Sequence, residues 1–257
     1  MRAIAINVGA NTNEPGFRGP VWPDGRFEYV PIPESEPTTE RVPTYGDLDS
    51  HLDCPIPASV HETPVHLDPE FPEYPFCERY TYGDDSGVKA GPLLELTAGD
   101  YVFFYATLSV TGVGEADPEQ SIATEGRDDS WLPPEWGAFI IGQFRLATDP
   151  LTGSAYESQY GAGSASETSD PFANNAHVKR DPFDGRVLLR GDPAESGLYE
   201  TVVPLSTPEG GTEAGPLVTE ASEDSGRGPW WRRPLRFDRA GTTRLLQASA
   251  SEDVSTG

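Results

Sequence analysis

A chain of 257 residues with 42 acidic side chains against 18 basic ones has a formal net charge of −24, and only two of those cations are lysine. Such a surface repels phosphate-rich polymers at low salt and repels itself when compact. The acidity runs along the whole length, a habit of salt-in halophilic proteins, where molar salt cuts the Debye length to about 3 Å, so it describes the medium and not the ligand. Two cysteines exclude a disulfide scaffold. No stretch approaches the ~20 apolar residues of a membrane span, and the apolar start is too short for a signal peptide. The expectation is a soluble cytoplasmic protein with no membrane partner. With 27 Gly and 26 Pro, loops are numerous and long helices few.

In chain order, Arg2 to Val8 alternates as a first strand. After a polar turn (Gly9 to Asn13), Pro23-Asp24-Gly25 marks a second turn. It leads into a short strand, Arg26 to Val30, which Pro31 and Pro33 confine to an edge. Thr44 is placed to N-cap a short helix through Leu52. Tyr101 to Val110 is apolar on both faces and therefore central in a sheet, with Ala138 to Ala147 as its neighbour. Arg186–Arg190 and Leu198–Val203 read as further strands. Acidic or small-residue loops are expected at about 111–134, 149–170 and 208–225, the second with one short helix, and a frayed polar tail at 247–257. No βαβ rhythm appears. The fold class is α+β: one strand-rich domain over residues 1–246, with a central mixed sheet or partly closed barrel and few short helices.

The densest chemistry lies in Asn174 to Asp192, N-N-A-H-V-K-R-D-P-F-D-G-R-V-L-L-R-G-D. Asn174, Asn175, His177, Lys179, Arg180 and Arg190 cluster in a chain that otherwise avoids positive charge. Amides suit a base edge, guanidinium and ammonium groups suit phosphate, and an imidazole moves protons. The plainer account is a turn and a buried strand with solvated charges at its ends. His66-x-Asp68 on an extended segment directs both side chains to one face. That suits a histidine with an orienting carboxylate, or two metal ligands. Cys54, His61, His66 and Cys77 are potential zinc ligands without a standard spacing, so no metal is expected there. No P-loop, nucleophile elbow or dinucleotide fingerprint occurs, and no cofactor is expected. Near the C-terminus, Trp230 and Trp231 interleave with Arg227, Arg232, Arg233 and Arg236. That mixture either holds phosphate and stacks a base or packs into the core with its arginines paired.

Several motifs recur in order: P-V-W-P-D-G-R-F-E-Y-V-P-I-P (Pro20–Pro33), T-Y-G-D-L (Thr44–Leu48), H-L-D-P-E (His66–Glu70) and G-D-Y-V-F-F-Y (Gly99–Tyr105). Asn174–Arg180 and W-W-R-R-P-L-R-F (Trp230–Phe237) follow. Together they resemble the third type of the nucleotide modification associated domains, as a haloarchaeal-type member. The resemblance departs at Asn7–Asn11, where the family has a Lys/Ser/Arg-rich turn. It implies a role in nucleic-acid base modification without supplying a mechanism. The positions it carries over are Asp24, Arg26, Tyr45, Asp47, His66, Asp68, Asn174, His177 and Arg180.

One hypothesis is an enzyme acting on a nucleotide or DNA base, with His66, Asp68 and His177 catalytic. Asp24, Arg26, Tyr45, Asp47, Asn174, Asn175, Lys179, Arg180 and Arg190 would then bind substrate. A second is a non-catalytic reader that cups a modified base, like barrel domains with a G-D-x-V-x-F-Y strand. A third is a scaffold subunit anchored through its tryptophans. The partners expected are a nucleotide or nucleic acid, DNA before RNA, and other modification-system proteins.

Overall fold

The computed structural model describes residues 1–112, 129–161 and 169–252. Its elements are β1 (Ala3–Asn7), β2 (Pro20–Val21), α1 (Tyr45–Asp49), β3 (Thr81–Asp84), α2 (Gly87–Leu93), β4 (Tyr101–Val110), β5 (Trp136–Arg145), β6 (Leu151–Thr152), α3 (Gly153–Tyr160), α4 (Ala176–Lys179), β7 (Val187–Arg190), β8 (Gly197–Pro204), β9 (Ser206–Thr207), β10 (Gly210–Ala214), α5 (Pro216–Thr219), β11 (Leu235–Phe237) and α6 (Arg239–Glu252). The class is α+β, with mixed sheets and short helices.

The main sheet runs β11-β1-β4-β5-β8, with β2 also pairing β4. β4 is central, as its two-sided apolarity requires, and its first eight residues are buried. Alternate side chains feed two cores. Val102, Phe104, Ala106 and Leu108 join Phe71, Phe139 and Phe144 on one face. Phe103 and Tyr105 join Ile140, Trp230 and Phe237 on the other. A small antiparallel sheet, β3-β7-β6, stands beside the first core. The sheets are open; among the described residues they form no closed barrel.

α1 starts at the expected cap: Thr44 and Asp47 form a capping box. It ends at Asp49, short of Leu52. Three other expectations fail for packing reasons. Arg26–Val30 is not a strand; only Phe27 bridges, to Val21. The backbone of this segment instead binds irregularly, with the Val30 carbonyl accepting from Ala10 and the Glu28 amide donating to Pro20. The expected loop at 208–225 contains β10 and α5, because Trp230 anchors the hairpin through Nε1–H to the Thr212 carbonyl (2.8 Å). The first part of the expected frayed tail, 247–252, instead continues α6, with Ala248 packed against the second core; residues 253–257 lie outside the described residues. The 149–170 segment holds the expected short helix, α3, preceded by β6. Most of the 111–134 loop, and residues 162–168, lie outside the described residues.

Candidate functional site

β1 and β2 run one after the other along the same edge of β4: Asn7 faces Tyr105, and Pro20 faces Ser109. Between them the chain leaves the sheet. Gly9 begins the departure at φ 84°, where a Cβ would lie 3.1 Å from the Tyr29 ring and 3.2 Å from the Val30 carbonyl. Asn7, at the end of β1, and Asn11, on the departing segment, line two adjoining basins of about 330 Å³ and 250 Å³.

The larger basin gathers His66, Asp68, His177 and Arg180. His66 and Asp68 come from the H-L-D-P segment, held at one end by the His66 amide on the Ile32 carbonyl and at the other by Glu70 bridged to Thr81. Both side chains face the basin. His177 comes from α4, whose N-cap is Asn175: its Oδ1 accepts from the His177 amide at 3.1 Å. The Asn175 amide group also donates to Asp68 Oδ1 and to Thr81, both at 3.3 Å. The cap thereby ties the two halves of the site together. Gly83 completes the seat. Its N–H donates to Asp68 Oδ2 at 2.8 Å, and a Cβ there would meet His177 Cδ2 at 2.8 Å and Asn175 Oδ1 at 2.9 Å.

The two imidazoles sit edge to face, with ring centroids 4.8 Å apart. His66 Nδ1 lies 2.6 Å from Glu34 Oε2, and His177 Nδ1 lies 2.8 Å from Asp184 Oδ1. Their Nε2 atoms stand 3.9 Å and 3.6 Å from Asp68 Oδ2. Arg180 bridges the two outer carboxylates, with Nη2 2.9 Å from Glu34 and Nη1 2.6 Å from Asp184. Desolvation pushes the Asp68 carboxyl well above the usual range, against the opposing Gly83 hydrogen bond. Burial, and next the neighbouring His66, lower His177 and favour its neutral form. Burial also raises Glu34, but its contacts with His66 and Arg180 outweigh that and bring it down to about 2. A carboxyl and an imidazole with opposed ordinary charges are thus both pushed towards neutrality in one cleft, a pattern typical of functional sites.

The remaining sequence candidates lie outside this lining. Asp24 and Arg26 pair with each other at 3.0 Å in an exposed turn. Tyr45 is buried and donates to the Pro31 carbonyl at 2.7 Å, while Asp47 serves the cap of α1. Asn174 donates to Glu70 and accepts from Lys179, each at 2.6 Å, and Lys179 also pairs with Glu40. Arg190 ends β7 with an exposed side chain. Among the described residues, Cys54, His61 and Cys77 belong to no cluster of three close ligand atoms.

The smaller basin is lined by Arg18, Trp231, Arg232 and Thr107 besides the shared asparagines. The Arg18 guanidinium lies 4.6 Å over the Trp136 ring, which packs on Trp231. Its Nε is buried with no hydrogen-bond partner, and burial lowers its pKa. The basic, aromatic C-terminal segment therefore divides. Trp230 is core, and Arg233 and Arg236 pair with Asp224 and Glu95. Trp231 and Arg232 face the basin.

Sequence reasoning missed Glu34, Asp184, Gly83 and Arg18 as site residues. Glu34 directly follows the P-I-P motif and Asp184 lies in the recognised turn, so both stood beside a signal. Gly83 and Arg18 have no local signature.

No curated protein and no solved structure matches this chain. A family model described as nucleotide modification associated domain 3 matches residues 2–247, nearly the whole length, including every residue of both basins. The chain therefore belongs to the nucleotide modification associated domain 3 family, and its general role is in nucleotide modification.

Proposed function

We propose that this chain is an enzyme that modifies a nucleotide seated across both basins, its reacting end against His66, Asp68 and His177. The convergence of these three side chains, drawn from distant segments onto one cleft wall, carries the reading. The neutral imidazole of His177 is suited to take a proton from the reacting group, and the buried carboxyl of Asp68 to hold or return one. Arg18 and Arg232 supply charge for a phosphate, and Trp231 supplies a face for a base or sugar. The basins together match the scale of one nucleotide and not of a duplex. The reader hypothesis has less support, since the larger basin is walled by titratable groups with Tyr82 as its one phenol ring, and not by an aromatic cage.

The test is mass spectrometry of nucleosides, from nucleic acid and from the free pool. Hosts would carry the intact gene, no gene, or the His177→Ala form. A modified nucleoside lost in the last two supports the enzyme. A nucleoside lost only with the whole gene, and retained with His177→Ala, removes His177 from the chemistry.

A further inference from the structure

The floor of the larger basin has a geometry that acid–base work alone does not require. Each imidazole is tied at Nδ1 to a carboxylate, 2.6 Å for His66 on Glu34 and 2.8 Å for His177 on Asp184. A bare lone pair would repel a carboxylate at such distances, so each Nδ1 carries the proton and donates it. In the neutral ring the Nε2 lone pair is then left directed at the interior. One ligand atom from each of His66, Asp68 and His177 lies within 4.8 Å of the other two, and both Nε2 atoms stand near Asp68 Oδ2. The separations from Asp68, 3.9 Å and 3.6 Å, exceed the about 2.7–3.2 Å of a hydrogen bond. Two imidazole nitrogens and a carboxyl oxygen, the latter held by Gly83 N–H, therefore converge without bonding one another.

We propose that His66 Nε2, His177 Nε2 and Asp68 Oδ2 hold one first-row divalent transition-metal ion, with its remaining coordination positions open to the cleft. Ligand atoms about 2.0–2.2 Å from such an ion stand about 3.0–3.5 Å apart, so closure needs only small side-chain shifts. Two imidazoles with one carboxylate favour a transition metal over magnesium or calcium, which prefer all-oxygen sites. The outer shell is already built. Glu34 and Asp184 fix the tautomer and ring orientation, as carboxylates behind metal-bound histidines do. Gly83 N–H and the Asn175 amide fix the Asp68 carboxylate. All three ligands line the cleft, so the open positions meet whatever occupies it.

A second grouping, Asp85, His177 and Asp184, also brings three ligand atoms together. There the guanidinium of Arg180 already lies 2.6 Å from Asp184 and 3.4 Å from Asp85. A cation occupies that position, which leaves the Nε2 side for the ion.

The metal proposal concerns the same cleft as the nucleotide reading, and its geometry does not depend on that reading; with the ion bound, His177 and Asp68 serve as ligands in place of their proton-moving roles, so the two assignments describe the loaded and the metal-free site. It is tested on the purified full-length chain, stripped with chelator and titrated with cobalt(II) and with zinc(II). The expected result is one equivalent bound, visible cobalt d–d absorption and a raised melting temperature. Asp68→Asn, His66→Gln and His177→Gln should each weaken binding by at least about tenfold, while Cys54→Ala with Cys77→Ala should leave it intact. Asp68→Asn is nearly isosteric, and circular dichroism checks that each variant is folded. Absence of stoichiometric binding by the wild type overturns the proposal, as does binding unchanged in all three ligand variants. The two readings fail separately: a gene-dependent nucleoside from a protein that binds no metal removes only the metal, and metal binding with an unchanged nucleoside profile removes only the substrate.

Discussion

The two basins of one cleft treat their arginines in opposite ways. In the larger, Arg180 is buried and nearly saturated: Nε and Nη2 meet Glu34, and Nη1 meets Asp184 and Asp85. In the smaller, Arg18 leans on Trp136 with a buried Nε that has no hydrogen-bond partner. Arg180 sits inside the recognised N-N-A-H-V-K-R motif, and Arg18 sits in no motif. In a chain of net charge −24, a cation's use depends on how many carboxylates reach it and not on the motif that carries it. Arg180 braces the histidines through their outer carboxylates. Arg18 lines the smaller basin with no carboxylate on its Nε.

The strongest way to break this contrast is Arg180→Ala. It leaves Glu34 buried beside Asp184 without their shared cation, which should cost about 3–5 kcal/mol in denaturant unfolding. Arg18→Ala should cost under about 1 kcal/mol, chiefly its stacking on Trp136. Equal losses from the two substitutions would erase the distinction.

Gly83→Ala comes next. The added methyl meets His177 and Asn175 at under 3 Å and should destabilise by about 1–3 kcal/mol. It should also separate the His177 and Asp68 side chains, an effect that histidine NMR shifts would report.

Ligand binding sharpens the contrast from the other side. Arg18→Ala or Arg232→Ala should weaken nucleoside monophosphate binding by about 10- to 100-fold in calorimetry, as befits the loss of a charge-assisted contact of about 1.5–3 kcal/mol. Unchanged affinity in both variants would remove the phosphate role from the smaller basin.

Glu34 provides a pH test. Its folded pKa, about 2, lies below the ordinary 4.5. Its stabilising contribution is therefore complete above 4.5 and is lost as pH falls towards 2. The stability advantage of the wild type over Glu34→Gln should shrink through that window; an advantage that grows on acidification would contradict the network. The smallest effect belongs to Lys89→Gln, which breaks a partly exposed pair with Asp84 at 3.4 Å and should cost no more than about 1 kcal/mol.

Parts of this molecule were legible in one dimension because their signals are local. The two-sided apolar run from Tyr101 to Val110 forecast a central strand, and Thr44 with Asp47 forecast a capped helix. The i, i+2 spacing of His66 and Asp68 forecast a shared face. Where long-range contacts decide, local reading failed. The acidic stretch from Pro208 looks like a loop until Trp230 gives its hairpin something to pack on, and residues 247–252 look frayed until α6 carries Ala248 against the second core.

The sequence by itself determined the family, the central strands and the residue types of the site, since short motifs and period-two patterns survive as strings. Only the tertiary structure decided which of those residues meet. It joined His66 and Asp68 to His177 across the chain, placed Glu34 and Asp184 behind the rings, and turned Asn174, Lys179 and Asp47 to internal bonds. Charged and polar side chains take their roles from the partners that burial brings within hydrogen-bond reach, and no local pattern encodes those partners.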